Sequence, residues 1–225
     1  MKSIIKPLFW NQIGNTIRGD DKNDQTGYSV DSSADGSIVA YGALYSGEDE
    51  QGSARVLQYD KENKEWKQLG QLIQGDYPDE ELGINVKLSA KGNILAVSSH
   101  EFDGDRGYVK ILIYNKSKNK WKQLGDNIEG ERIDDGSGWK MSLSKNGLTV
   151  AIGAYDNDDG NVDDDGTDAG HTRIYRYNKN QGGWKQMGND IDGNGDNNYE
   201  GWSVDLSANG KKVTIAGPYF RDSDE

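Results

Sequence analysis

Hydrophobic and polar residues alternate along this chain in short runs, each bounded by a glycine or a polar turn. The clearest example covers residues 139–154, where two alternating segments flank the turn Lys145-Asn146-Gly147. Asn-Gly between two such segments is a strong hairpin signal, because both residues tolerate a positive φ. No segment sustains a period of 3.6 residues. The pattern therefore predicts β-strands joined by tight turns, with almost no helix.

The motif Trp-x-Gln-x-Gly recurs four times and divides the chain into repeats. It begins at Trp10, Trp66, Trp121 and Trp184, with spacings of 56, 55 and 63 residues. Isoleucine, glycine and serine positions downstream of each tryptophan recur in one register, which is the signature of a repeat architecture. We place the repeats at residues 10–65, 66–120, 121–183 and 184–225, the last one truncated, within a single domain spanning residues 1–225.

Each complete repeat predicts four strands: D, which carries the tryptophan, followed by A, B and C. In the third repeat, A, B and C cover residues 139–144, 148–154 and 170–177. Four short antiparallel strands per repeat are typical of a β-propeller blade. We expect an all-β fold, an incomplete β-propeller of four-stranded antiparallel blades with about 3.5–4 blades.

The fourth repeat stops before a strand C. We therefore expect either that the chain is part of a longer propeller or that another copy completes it. Unpaired strand edges promote association, so self-association through this unfinished blade is predicted.

Short motifs recur where strands A and B are predicted. The segments are 27–30 (Gly-Tyr-Ser-Val) with 40–43, 138–141 with 151–154, 201–204 with 216–218, and, less closely, 83–86 with 97–99. They resemble the FG-GAP family of integrin-α-like propeller repeats. The resemblance implies an extracellular or cell-surface adhesion module that presents loops to protein or glycan ligands, often with calcium. It does not transfer the family's calcium site, because a short turn stands here where that family carries an Asp-rich loop.

Composition excludes several classes of function. The chain has 38 Asp and Glu against 26 Lys and Arg, a net charge of -12, so it repels phosphate backbones and is not expected to bind nucleic acid. It has no cysteine, which excludes disulfides, thiolate metal sites and cysteine nucleophiles. No apolar run approaches the ~18 residues of a membrane span. Residues 1–9 do not have the pattern of a secretory signal.

The charges are divided unequally between the two faces that the predicted topology creates. The loops from D to A and from B to C hold 28 acidic and 4 basic residues, whereas the opposite face holds 4 acidic and 10 basic residues. The acidic face either keeps a glycine-rich ring soluble or binds cations and basic partners.

Two acidic segments are candidate calcium sites. The loop of residues 156–168 carries seven carboxylates, whose mutual repulsion a hard cation with oxygen ligands would relieve. Residues 190–196 follow the opening of an EF-hand-type loop, although Ile191 and Gly193 also belong to the repeat. A mobile solvated loop and chance enrichment are the respective alternatives. The candidate ligands are Asp156, Asp158, Asp163, Asp165, Asp168, Asp190, Asp192, Asn194 and Asp196.

No catalytic motif stands out. His100 and His171 have no neighbouring histidine and no serine-centred triad, and no one pair of carboxylates is singled out. The recurring tryptophans and tyrosines are interpreted as packing residues. We predict a non-catalytic binding or adhesion module whose acidic face binds a protein or glycan, with calcium as its one candidate cofactor. The alternatives are a propeller hydrolase or lyase using acidic-face carboxylates, and a purely structural repeat.

Overall fold

The computed structural model describes residues 10–157, 169–194 and 198–219. Its strands form four antiparallel sheets that follow one another along the chain. The first sheet contains β1 (Val30–Ser32), β2 (Ile38–Ala43), β3 (Ser53–Asp60), β4 (Glu65–Gln68) and β5 (Ile73–Gln74). The second contains β6 (Asn85–Leu88), β7 (Ile94–Ser99), β8 (Tyr108–Asn115), β9 (Lys120–Gln123) and β10 (Ile128–Glu129). The third contains β11 (Lys140–Leu143), β12 (Thr149–Ala154), β13 (His171–Asn178), β14 (Gly183–Gln186) and β15 (Ile191–Asp192). The fourth contains β16 (Ser203–Leu206) and β17 (Val213–Ala216).

Each complete sheet is a four-stranded meander whose outer strand is divided in two. In the first sheet, β4 and β5 both pair with β3, with Trp66 opposite Tyr59 and Ile73 opposite Ala54. The chain leaves the sheet between them at Gly70, which has a φ of 81°. Strand D, expected as one continuous strand, is therefore two short strands separated by a glycine.

The sheets pack face to face around a common axis, since the first strands β1, β6, β11 and β16 lie side by side in that order. Both faces of β7 are buried: Leu95 and Val97 pack towards the first sheet, whereas Ile94 and Ala96 pack towards the third. Alternating side chains of one strand thus contribute to two hydrophobic layers. The predicted all-β, incomplete propeller of four-stranded antiparallel blades is confirmed.

One short helix, α1 (Phe102–Asp105), lies in the loop between β7 and β8 and is the single helix of the described residues. Asp103 and Gly104 within it have positive φ values of 54° and 68°, so it is a loop turn rather than a regular helix. The expectation of almost no helix holds for this part of the chain.

Sheets are joined by the tryptophan of the repeated motif. The Trp121 indole N–H donates to the carbonyl of Leu69 in the preceding sheet at 2.7 Å, and Trp184 donates to Leu124 at 2.7 Å. Each indole lies on the glycine that follows this carbonyl: a Cβ on Gly70 would come within 2.6 Å of the Trp121 ring. The packing role predicted for the recurring tryptophans is confirmed for Trp66, Trp121 and Trp184, whereas Trp10 is fully exposed. The glycine of the motif is explained by this close approach.

The motif also explains why the sequence repeat and the sheet are out of phase. Trp66, Trp121 and Trp184 each begin a repeat but pair with strand C of the preceding repeat. Trp121, for example, stands opposite Tyr114 with ring centroids 5.3 Å apart. The same tilted pair forms between Tyr59 and Trp66. Every repeat boundary is therefore hydrogen-bonded within a sheet.

Replacing Trp121 separates its two contributions. We expect Trp121→Ala to lower the free energy of unfolding by about 3–5 kcal/mol, because the side chain is 4% exposed. Trp121→Phe keeps most of the apolar contact but leaves the Leu69 carbonyl without its donor, for an expected loss of about 1–3 kcal/mol. Urea denaturation monitored by circular dichroism measures both. A loss below about 1 kcal/mol for the alanine variant would contradict the proposed joint between sheets.

Candidate functional site

The loops of the acidic face are held in shape by recurring buried carboxylates. Glu80, 1% exposed, accepts hydrogen bonds from the backbone N–H groups of Asp76 and Tyr77 at 2.6 and 2.8 Å. Asp135, 2% exposed, occupies the same place in the next repeat and closes its loop at the same two distances. These carboxylates are committed to backbone donors, so their role is to fix the loops.

A pocket lies on this face between the second and third sheets. Its volume is about 260 Å³, and its walls include His100, Glu101, Asp105, Asp134, Tyr155 and Asp156. The loop after β7 and the loop before β11 are joined by backbone hydrogen bonds from Asp134 to Gly104 and from Gly136 to Asp105. The amide of Asn157 donates to the buried Asp135 at 2.7 Å, which ties the third wall to the same loop. The pocket is thus built by three connected loops.

The electrostatics of the pocket are strongly acidic. Burial, a hydrogen bond with Asp105 and the negative charges of Asp105 and Glu81 raise the pKa of Glu101 to about 7. Burial, followed by the charges of Glu50, Asp79 and Asp105, also raises the pKa of Glu81. The carboxylates therefore disfavour one another's ionisation, and a bound cation would relieve that repulsion.

His100 does not supply the missing positive charge. Its Nε2 lies 3.0 Å from the Glu101 carboxylate, but burial lowers the pKa of His100 to about 4. The imidazole is therefore neutral at pH 7. It serves as a polar wall of the pocket rather than as a counter-ion for the carboxylates.

Aromatic rings continue from the pocket towards the fourth sheet. Trp139, Tyr155 and Trp202 form a cluster with centroids 5.1–5.2 Å apart, and His100 meets the edge of Trp139 at 5.2 Å. Burial and a hydrogen bond with Asp156 raise the pKa of Tyr155, so its hydroxyl stays protonated. Trp202 is 38% exposed. The site therefore combines carboxylates with an apolar, partly accessible wall.

The structure describes four of the nine predicted calcium ligands: Asp156, Asp190, Asp192 and Asn194. Asp156 lines the pocket. Asp158, Asp163, Asp165, Asp168 and Asp196 lie outside the described residues. Asp192 belongs to β15 and pairs with His171, whereas Asn194 is exposed just beyond that strand.

Asp190 belongs to a different group of side chains. Its carboxylate lies close to the carboxylate of Glu131 and to the imidazole of His171. One possible metal-ligand atom from each of the three side chains lies within 4.8 Å of the other two. Gln186 donates a hydrogen bond to Asp190. Glu131 also lies 3.4 Å from the Arg173 guanidinium, so part of its charge is already balanced. Among the described residues, Glu81, His100 and Glu101 form the second group with this spacing, at the edge of the pocket.

Sequence reasoning did not single out Glu101, Asp105 or Asp134 and treated His100 as uninformative. One signal was present: Glu101 stands 35 residues after Trp66, and Asp156 stands 35 residues after Trp121, just beyond strand B in adjacent repeats. Two carboxylates at equivalent positions of neighbouring blades face the same loop cluster. Asp134 recurs in the same way, since Asp79 stands at the equivalent position of the preceding repeat.

The chain is similar in fold to known β-propeller-like structures. A 6-phosphogluconolactonase-like protein of Bacteroides uniformis matches with a TM-score of 0.50 at 15% identity, over 83% of this chain and 42% of that one. Sqt1 of Saccharomyces cerevisiae matches with a TM-score of 0.51 at 16% identity, over 84% of this chain and 42% of that one. The chain thus spans less than half the length of either structure. At these identities the likeness shows the fold alone.

No family model matches the sequence, and no curated protein matches it. None of the helical residues described here forms a segment long and apolar enough to cross a bilayer.

The raised pKa of Glu101 predicts a pH-dependent cost to stability. The folded state holds this proton more tightly than the unfolded state, so stability falls as pH rises from about 4.5 to about 7. Glu101→Gln removes the ionisation. Because the side chain is 39% exposed and solvent screens it, we expect a gain of about 1 kcal/mol at pH 8 and none near pH 4.

Thermal denaturation of both proteins between pH 4 and pH 8 measures this difference. Glu62→Gln, an exposed carboxylate on the opposite face, is the control and should show no comparable trend. A change in stability on Glu101→Gln that is the same at every pH would contradict the raised pKa of Glu101.

Proposed function

We propose that this chain is a non-catalytic binding module that engages a protein or glycan ligand through its acidic loop face, with the pocket between Glu101 and Asp156 as the anchor for a cationic group. The observation that supports this proposal is the pocket itself, in which four carboxylates and a tyrosine surround a volume of about 260 Å³. His100 does not supply a positive charge to these carboxylates at pH 7, because burial lowers its pKa to about 4. A lysine or arginine side chain of a ligand would supply that charge.

The aromatic cluster supports a ligand that brings apolar as well as charged contact. Trp202 and Tyr219 are 38% and 62% exposed, and they continue the surface that starts at Tyr155. Aromatic side chains offer a large contact area at low cost in conformational entropy, which suits recognition of proteins and glycans. The resemblance to FG-GAP repeats favours a cell-surface adhesion role for such a face.

Calcium is the second cation proposed for this face. The carboxylates of Glu81 and Glu101 can approach one ion together, and Asp156 begins the acidic loop expected to bind calcium. Oxygen ligands are the type that calcium prefers. A calcium ion would connect the acidic face to the hydroxyl or carboxylate groups of a glycan.

One observation favours the hydrolase alternative. A carboxyl group with a pKa of about 7 beside other carboxylates has the property required of a general acid. Turnover of chromogenic glycosides that is lost in Glu101→Gln would support this alternative over a purely binding role.

Self-association through the unfinished fourth sheet is a separate part of the proposal. Within the described residues, β17 pairs with β16 alone, so its outer edge offers unpaired backbone groups.

Calorimetric titration tests the pocket with two probes, calcium chloride and a hexalysine peptide. We expect Glu101→Gln combined with Asp156→Asn to weaken binding of the preferred probe by about tenfold at low ionic strength. The matched control is Glu62→Gln with Glu65→Gln, which removes the same charge from the opposite face and should change affinity less than twofold.

Proton release provides a second measurement. A cation in the pocket lowers the pKa of Glu101, so binding near pH 7 releases protons and the heat depends on the ionisation enthalpy of the buffer. An equal loss of binding affinity in the two double variants would contradict the proposed site. So would the absence of binding of either probe at millimolar concentration.

A further inference from the structure

We infer that the ligand of this chain is a protein segment that presents an arginine, and that a second pocket on the acidic face, formed around Tyr77 and Phe102, binds the guanidinium group. The inference rests on the binding function proposed above and narrows its ligand from a protein or glycan to an arginine-containing protein. The shape, the rigidity and the charge of the second pocket carry the argument.

This second pocket, called the Tyr77 pocket below, lies where the loop before β6 meets the loop after β7. Its volume is about 430 Å³, and its walls include Tyr77, Pro78, Asp79, Glu101, Phe102 and Asp103. Glu101 also lines the pocket that contains Asp156, so the two pockets adjoin each other at this carboxylate. One segment of a ligand can therefore contact both.

Buried contacts hold the aromatic wall of the Tyr77 pocket in place. The carboxylate of Glu80 accepts hydrogen bonds from the hydroxyl of the buried Tyr108 and from the backbone N–H of Tyr77. Phe102 packs edge-on against the Tyr108 ring, with centroids 5.0 Å apart. Pro78 further limits the backbone conformations of the residue that precedes it, Tyr77. The pocket is thus preformed, which lowers the entropic cost of binding.

The aromatic pair is specific to this blade. Tyr77 is 58% exposed, and its ring centroid lies 5.5 Å from that of Phe102. Counted from the tryptophan that begins each repeat, the equivalent residues are Asp21 and Ser46 in the first repeat and Arg132 and Asn157 in the third. The blades therefore fold without this pair. Its exposed ring is available for a ligand, and tyrosine is enriched where proteins bind one another.

Two carboxylates of the Tyr77 pocket remain for a cation. Asp103 is not one of them, because the Arg106 guanidinium lies 3.0 Å from it. Asp79 contributes a negative charge that, after burial and the charge of Glu50, raises the pKa of Glu81. Glu101 lies beside His100, which is neutral at pH 7. Asp79 and Glu101 therefore give the pocket a negative potential that a basic ligand would complement.

Arginine fits this combination of an aromatic ring and carboxylates better than lysine does. A guanidinium is planar, stacks on aromatic rings and donates paired hydrogen bonds to a carboxylate, whereas an ammonium is compact and strongly hydrated. A cation over the face of a tyrosine is also attracted by the ring. Because Tyr77, Asp79 and Glu101 line one pocket, a guanidinium that stacks on the ring lies within reach of carboxylates. A neutral glycan has no group that makes both contacts.

The shared wall at Glu101 defines the ligand further. The pocket that contains Asp156 takes a cationic side chain of either kind, since its lining offers carboxylates and a tyrosine hydroxyl. The Tyr77 pocket adds the exposed aromatic ring that discriminates in favour of arginine. The two pockets together are suited to a segment with two neighbouring basic residues, of which the one that contacts Tyr77 is an arginine.

Calorimetric titration of the full chain with two peptides, hexaarginine and hexalysine, tests this inference at pH 8 and low ionic strength. We expect hexaarginine to bind about fivefold more tightly than hexalysine. Tyr77→Ala should weaken the binding of hexaarginine about fivefold and that of hexalysine less than twofold, so that the preference for arginine disappears. Tyr77→Phe keeps an aromatic ring and should retain the preference.

Two further variants separate recognition from general effects of the substitutions. Tyr28→Ala removes a tyrosine of similar exposure, 51%, that lines neither pocket, and it should leave both affinities unchanged. Asp79→Asn removes one charge and should weaken the binding of hexaarginine about threefold. Asp79 has a φ of 54°, a backbone conformation that asparagine tolerates, so this variant keeps the shape of the loop. Thermal denaturation checks that each variant is folded.

The outcomes separate this inference from the proposed function. Equal affinities for the two peptides, both reduced by Glu101→Gln combined with Asp156→Asn, overturn the arginine pocket and leave the cation pocket standing. A preference for hexaarginine that survives Tyr77→Ala also overturns the inference, because the ring then plays no part in recognition. If neither peptide binds, the inference fails and the proposed function depends on calcium alone. Loss of the preference in Tyr77→Ala and its retention in Tyr77→Phe support the inference.

Discussion

The indole N–H of one sheet bound to a carbonyl of the preceding sheet is the interaction on which the rest of this structure depends. It places a large aromatic ring against a bare glycine backbone, so each sheet is held at a fixed distance and angle from its neighbour. That spacing allows strands such as β7 to bury both faces. A small sheet with few apolar residues thereby gains a core on each side, which explains how a chain of low hydrophobicity folds.

The same constraint positions the acidic face. Because successive sheets are rotated about a common axis, the loops at one end of each sheet converge with those of the next. Glu80 and Asp135 then fix the shape of those loops through backbone N–H groups. The packing between sheets holds the carboxylates of the pocket close together despite their mutual repulsion. The raised pKa of Glu101 reflects that repulsion together with burial.

The sequence predicts the fold well because the signals for it recur in every repeat. The four tryptophans, the turn glycines and the alternation of strands all reflect contacts made more than once. The pocket was not predicted, because Glu101 and Asp105 belong to one loop and Asp134 to another, and the approach of these loops depends on the curvature between sheets. The break in strand D was also missed, because the glycine of the Trp-x-Gln-x-Gly motif was taken as part of one continuous strand, whereas the next indole packs on it.

The phase difference between repeat and sheet has a consequence for how such chains change length. A segment of about 55 residues that starts at one tryptophan carries an outer strand for the sheet before it and three inner strands for the sheet after it. Inserting or removing one such segment within the array keeps the outer strands between neighbouring repeats paired and their indoles packed on glycines. Duplication of a segment that runs from one tryptophan to the next therefore lengthens the array without exposing a new edge.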